Sequence, residues 1–152
     1  MPQIRVVPHI VFNAICAKNG WGGDAIPTDV AFISIIDSPA ALRFWDDDGS
    51  VFASHHLNNA ENVLNLDFDD VSNDGDHCRA LTDEQAEEII AFILKHRGKN
   101  FLVHCKAGMS RSAAIGQIIK DFFPEYENNE NYDGRNAFVF SKLKNKMYAQ
   151  FH

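Results

Sequence analysis

Basic charge is scarce in this chain. Of its 152 residues, 14 are Lys or Arg and 21 are Asp or Glu, leaving a net charge of -7. Nucleic-acid binding needs a stripe of positive charge, and anionic lipid attracts polybasic segments. The expectation is therefore no nucleic-acid partner and no membrane partner. Cysteine is scarce too: Cys16, Cys78 and Cys105 are far apart, odd in number and without a CxxC pair. That excludes a disulfide framework and a zinc knuckle. Apolar runs of 18 residues are missing, so no segment is expected to span a bilayer. The opening MPQIRVVPHIVF lacks the long apolar core and small-residue cleavage site of a secretory leader. These absences point to a reducing cytoplasm, where free thiols persist. Repeats, low-complexity tracts and linkers are also missing, so residues 1–152 are expected to form one domain. At 45% hydrophobic residues, the chain can build one core without a disulfide or metal.

What is present reads as alternating strands and helices. In Ile4 to Ile15, Pro8 suggests an edge strand or a strand entry. Ala31 to Ile35 is an uninterrupted apolar run of strand length, as in a parallel sheet buried on both faces. Asp46-Asp47-Asp48-Gly49 reads as a surface turn, and VFASHHL after it as a further short strand. In Val63 to Phe68, Leu64, Leu66 and Phe68 share one face of a half-buried strand that runs into an acidic loop. Thr82 to Arg97 is the clearest helix. Thr82 and Gln85 form a capping box, acidic residues sit at its start and basic ones at its end, and Ala86, Ile89, Ile90 and Ile93 make an apolar stripe. Phe101-Leu102-Val103 is a buried strand, Ser112 to Phe123 a helix stopped by Pro124, and Asn136 to Phe151 a last helix with Phe140, Leu143, Met147 and Phe151 on one side. Such an order defines an α/β domain with a mostly parallel sheet.

Chemistry concentrates in the loop between the buried strand and the helix after it: His104, Cys105, Lys106, Ala107, Gly108, Met109, Ser110, Arg111 and Ser112. A loop curled at a helix N-terminus aims backbone N–H groups at one point and receives an anion. Gly108 permits the sharp path, and Arg111 offers a planar fork for two oxygens of a phosphoryl group. The same positive environment favours the Cys105 thiolate, placing it for in-line attack on phosphorus and a cysteinyl-phosphate intermediate. Ser112 is positioned to assist the sulfur as it leaves. Lys106 reads as a modest substrate contact, and His104 as a residue that orients the loop. The leaving group needs an acid from outside the loop. Asp67 and Asp69 fall on the face opposite Leu66 and Phe68, and Asp70 is the first residue free of the strand pattern. Asp70 is favoured, with Asp69 as the alternative.

Other groups read more plainly. A calcium loop started at Asp70 reaches Leu81 where a bidentate glutamate is required, so that reading fails. His55, His56 and His77 lack a ligand set. No metal and no cofactor are expected. Cys16 and Cys78 read as ordinary thiols, with a resolving role toward Cys105 as the alternative. Trp21 and Trp45 line either the core or the cleft.

The run HCKAGMSRS resembles the phosphate-binding signature of the cysteine-based protein tyrosine phosphatase superfamily: His, Cys, five residues, Arg, then Ser or Thr. The Ser110-Arg111-Ser112 ending is similar to the dual-specificity branch, and Val63 to Ile119 is similar to it in order and spacing. The resemblance implies a compact three-layer α/β/α phosphatase domain of about four or five strands. It implies a metal-independent hydrolase with Cys105 as nucleophile, residues Lys106 to Arg111 as the phosphate cradle, and Asp70 as the acid. The substrate it implies is a phosphorylated protein or peptide. A phosphate-binding pseudophosphatase, or an enzyme acting on a small metabolite, nucleotide or inositol phosphate, is the alternative.

Overall fold

A computed structural model describes residues 1–45 and 54–151. The Asp46 to Gly49 turn and the first residues of the VFASHHL segment lie outside the described residues, as does the side chain of Trp45. Elements follow in the order β1 (Ile4–Pro8), α1 (His9–Asn19), β2 (Val30–Ile36), α2 (Pro39–Trp45), β3 (Val63–Asp67), α3 (Asp83–His96), β4 (Asn100–Cys105), α4 (Arg111–Phe122) and α5 (Ala137–Ala149). A 3-10 turn, Pro124–Tyr126, follows α4.

Among the described residues the four strands pair in the order β1-β4-β2-β3, and each of these pairings is parallel. Side chains alternate across this sheet and feed two apolar clusters. On one face Phe101, Val103 and Cys105 of β4 join Ile33 and Ile35 of β2, Leu66 of β3 and the buried faces of α3, α4 and α5. On the other, Val7, Phe32, Val63 and Leu102 pack with Phe12 and Cys16 of α1. The domain is thus α/β/α with a mostly parallel sheet, as the order of elements implied. No helix of the described residues is long and apolar enough to cross a membrane.

Helix α3 forms for the reasons its sequence displays. The Thr82 hydroxyl accepts from the Gln85 N–H at 3.1 Å, and the Gln85 side chain accepts from the Thr82 N–H at 3.0 Å. Ala86, Ile89, Ile90 and Ile93 are buried. Its acidic face meets α5 through Lys142–Asp83 at 2.9 Å and Lys146–Glu87 at 3.0 Å. Their carboxylates are solvent-exposed, so screening by water keeps the contribution of each pair small.

Three sequence expectations change. Residues 9–15 continue from the β1 edge strand as helix α1, whose face is His9, Phe12 and Cys16. Exposed Ile10 and Val11 hide that face from periodicity. Helix α2 was not expected either. Its start is marked by Ser38 before Pro39, a cap followed by a proline in the first turn, and the Ser38 hydroxyl accepts from the Ala41 N–H at 3.2 Å. On α5 the buried line is Val139, Leu143 and Met147, while Phe140 is half-buried and Phe151 lies beyond the helix and exposed.

Candidate functional site

The C-terminal ends of β4, β2 and β3 bring together Cys105, Asp37 and the segment Phe68 to Asp70. In an open parallel sheet this is the edge where ligands bind. Cys105 ends β4, and residues 106–110 curl into the first turn of α4. The curl is wedged against the first strand. Gly108 has φ +69°, and a Cβ there would lie 2.3 Å from the Pro8 nitrogen and 2.5 Å from the Val7 carbonyl carbon. Only glycine fits both demands. The His9 N–H donates to the Lys106 carbonyl at 3.2 Å, tying the loop to the start of α1.

The sulfur of Cys105 is buried and faces donors. The Ser112 Oγ lies at 3.0 Å, and the Gly108 N–H donates to the sulfur at 3.3 Å. Burial alone would push the Cys105 thiol up. The Ser112 hydroxyl and backbone N–H, the Arg111 charge and the Gly108 N–H outweigh it, so the thiol is held below its ordinary value. Cys16 has no such company, and burial pushes it up to about 11.

Arg111 is almost fully buried. One terminal nitrogen, Nη1, donates to Asp37 Oδ1 at 2.8 Å and to the Phe68 carbonyl at 2.7 Å. Its Nε is buried and makes no hydrogen bond among the described residues. A buried donor left unpaired is rare and calls for an explanation. Asp37 was missed in the sequence. Read as part of a strand-ending Asp-Ser-Pro, it resembles any turn residue; only the β2–β4 pairing reveals that the end of β2 lies beside the Arg111 loop.

The two acid candidates separate. Asp69 is buried, and its carboxylate accepts from the Ser38 N–H at 2.9 Å, the Ser38 hydroxyl at 2.5 Å and the Arg79 N–H at 2.6 Å. It staples the start of α2 to the acidic loop, so its expected place on the outer face is corrected: the chain leaves β3 at Asp67, and strand alternation no longer applies at Asp69. Asp70 is exposed, and its Oδ1 accepts from the Ser110 hydroxyl at 2.7 Å and from Asn136 Nδ2 at 2.7 Å. The acidic loop also uses Asp74, whose Oδ1 accepts from the Ala80 N–H at 2.9 Å. Its aspartates are thus partly scaffolding, and Phe44 of α2 stacks on His77 of the loop with ring centres 3.7 Å apart.

His104 points to the α1 side of the sheet. It is fully buried, its Nε2 lies 2.6 Å from Ser34 Oγ, and its ring packs 4.1 Å from that of Phe12. Burial, helped by nearby His9, pushes it down to about 3, so it is neutral at physiological pH. Ser34 Oγ also lies 2.9 Å from His55 Nδ1. Lys106, Ala107 and Met109 are exposed on the outer rim of the loop. His56 Nε2 lies 3.1 Å from the Trp21 carbonyl, and Trp21 packs against the α1-side cluster. Among the described residues no group of three or more His, Cys, Asp or Glu side chains is arranged to hold a metal ion.

Fold and site together define a parallel α/β/α domain with a glycine-shaped loop, a lowered thiol and a buried arginine at a strand–helix junction. No family model matches the sequence, and no curated protein matches it. Among solved structures the chain is similar to the Cydia pomonella PTP-2 phosphatase, with 21% identity, 94% of this chain and 74% of that chain covered, and a TM-score of 0.44. It is also similar to PTPMT1, solved in complex with PI(5)P, with 18% identity, 81% of each chain covered and a TM-score of 0.42. Likenesses this distant carry no conclusion about activity.

Proposed function

We propose that this protein is a metal-independent phosphomonoester hydrolase that works through a cysteinyl-phosphate on Cys105. The observation that carries the reading is the convergence of a depressed thiol and a buried arginine with an unpaired Nε on one glycine-shaped loop. The phosphoryl group sits in the cradle of residues 106–111, where the loop N–H groups and the α4 N-terminus face its equatorial oxygens. Arg111 supplies the charge neutralisation that a metal provides in other phosphoryl-transfer sites, and Asp37 holds the guanidinium in place.

In the first step the Cys105 thiolate attacks phosphorus. The S–P bond forms as the P–O ester bond breaks, and the electron pair goes to the ester oxygen. Asp70 gives that oxygen a proton, and the alcohol or phenol departs. In the second step Asp70, now a carboxylate, takes a proton from water as the water oxygen attacks phosphorus. The S–P bond breaks and the thiolate leaves, stabilised by the Ser112 hydroxyl. Asp70 suits the acid role better than Asp69, whose carboxylate is occupied by three donors. His104 acts as support for the loop. A phosphorylated protein or peptide in a reducing cytoplasm is the substrate and setting in this reading, because Cys105 must stay a thiolate to work.

The test is turnover of p-nitrophenyl phosphate in the presence of a chelator. Cys105→Ser is expected to reduce it by more than about a thousandfold, and Arg111→Ala to nearly abolish it. Full activity in Cys105→Ser would overturn the mechanism. A panel of phosphopeptides, nucleotides and inositol phosphates then assigns the substrate; a preference for either of the last two classes would replace the phosphoprotein reading.

A further inference from the structure

Two helix N-caps converge on one carboxylate oxygen. Ser110 is the cap of α4, and Asn136 the cap of α5. A capping serine normally spends its oxygen on the first turn of its own helix. Ser110 makes no such side-chain bond and donates its hydroxyl to Asp70 Oδ1 instead. Asn136 does cap: its Oδ1 accepts from the Val139 N–H at 3.0 Å. That bond fixes which way the amide faces, and its Nδ2 is left to donate to the same Oδ1 of Asp70 at 2.7 Å. The backbone N–H of Asn136 also donates to the Ser110 carbonyl at 3.1 Å. Asp70, the end of the phosphate loop and the start of α5 thus form one closed triangle. Among the described residues none donates to Asp70 Oδ2.

Resting on the phosphatase reading, we propose that Ser110 and Asn136 are positioning residues that clamp Asp70 through Oδ1, so that the proton given to the leaving oxygen is carried on Oδ2. Both lone-pair directions of Oδ1 are taken by donors, which leaves Oδ2 as the oxygen to be protonated. In the transfer the Oδ2–H bond breaks as the proton joins the ester oxygen, and the resulting carboxylate is the form the clamp stabilises. Other charged or titratable groups on the elements around Asp70 are Asp67 and Asp69 on its own segment, Asp37 after β2, Cys105, Lys106 and Arg111 of the loop and α4, and Asp133 and Arg135 ahead of α5. Asp37 is engaged by Arg111 and Asp69 by Ser38 and Arg79, so the two neutral donors remain the direct partners of Asp70.

The experiment uses Ser110→Ala, Asn136→Ser and Asn136→Asp. The last two keep a capping side chain on α5 while removing the amide donor. The alkaline limb of kcat/KM reports loss of the acid proton in the free enzyme. Removing a donor to the carboxylate is expected to move that limb up by about half a pH unit or more. Turnover of phenyl phosphate, a poor leaving group, is expected to fall about tenfold, while p-nitrophenyl phosphate changes less. A role confined to capping or packing lowers the melting temperature and leaves the limb where it is. The carboxyl 13C titration of Asp70, measured without substrate, separates two failures. Cys105-dependent turnover with an unmoved Asp70 titration in both Ser110→Ala and Asn136→Ser overturns the clamp. Absent turnover with a titration that moves upward in those variants upholds the clamp and overturns the phosphatase reading.

Discussion

Cys105 and Cys16 are both buried thiols in one small domain, yet they are driven in opposite directions. The difference is local: Cys105 faces two N–H groups, a hydroxyl and a guanidinium, and Cys16 faces the apolar α1 cluster. Iodoacetate at pH 6.5 is therefore expected to alkylate Cys105 well before Cys16, because the thiolate is the reactive form. Inorganic phosphate should protect Cys105 and leave the labelling of Cys78 unchanged; peptide mass spectrometry reads both outcomes. Asp37 acts through Arg111. Asp37→Ala should lower kcat/KM by about tenfold, because a guanidinium without its carboxylate no longer holds one orientation. An unchanged value would mean that the Phe68 carbonyl alone aims Arg111.

At the scale of elements, a helix cap and a loop glycine make different contributions. Thr82→Ala removes half of a reciprocal cap on α3, outside the Cys105 loop. It should lower stability by about 1 kcal/mol, seen as a lower denaturant midpoint with unchanged turnover. Gly108→Ala should do the reverse in emphasis. Its Cβ has no room against Pro8 and Val7, so phosphate binding should be lost with the shape of the loop, as titration calorimetry would record. The capping box, the uninterrupted apolarity of β2 and the cysteine-to-arginine loop were legible in the sequence because each is written in contiguous residues. Helix α1 was not, because Ile10 and Val11 are apolar without being buried. Neither Asp37 nor Asn136 could be placed at the site by spacing, since each meets its partner only after the sheet and the last helix are assembled. The burial of Asp69 was invisible for a related reason: its partners Ser38 and Arg79 come from two other segments.

For the molecule as a whole, the buried His104 and the half-buried His55 set the acid limit. His104 is held down to about 3, and His55 to about 4, against an ordinary value of 6.5; burial is the main cause in both. As pH falls below 6.5 the unfolded chain takes up these protons first, so stability is full above 6.5 and is lost progressively as pH falls toward 4 and below. The melting temperature should drop across that window, and His104→Gln should flatten the slope. A slope unchanged by that substitution would place the acid sensitivity elsewhere.

The strand order has a consequence in time. β4 enters the sheet between β1 and β2, so the edge strand made first is joined only by residues near Phe101, to which Ile4 is registered. Its flanking contact, Gln3 to Asn100, spans 97 positions. Strand β1 has no parallel partner until β4 has been synthesised, and long-range pairing of this kind is slow to form. The wall that shapes the loop, Pro8 against Gly108, is completed in the same event. The glycine-shaped loop around Cys105 thus takes its form only when the sheet closes around it.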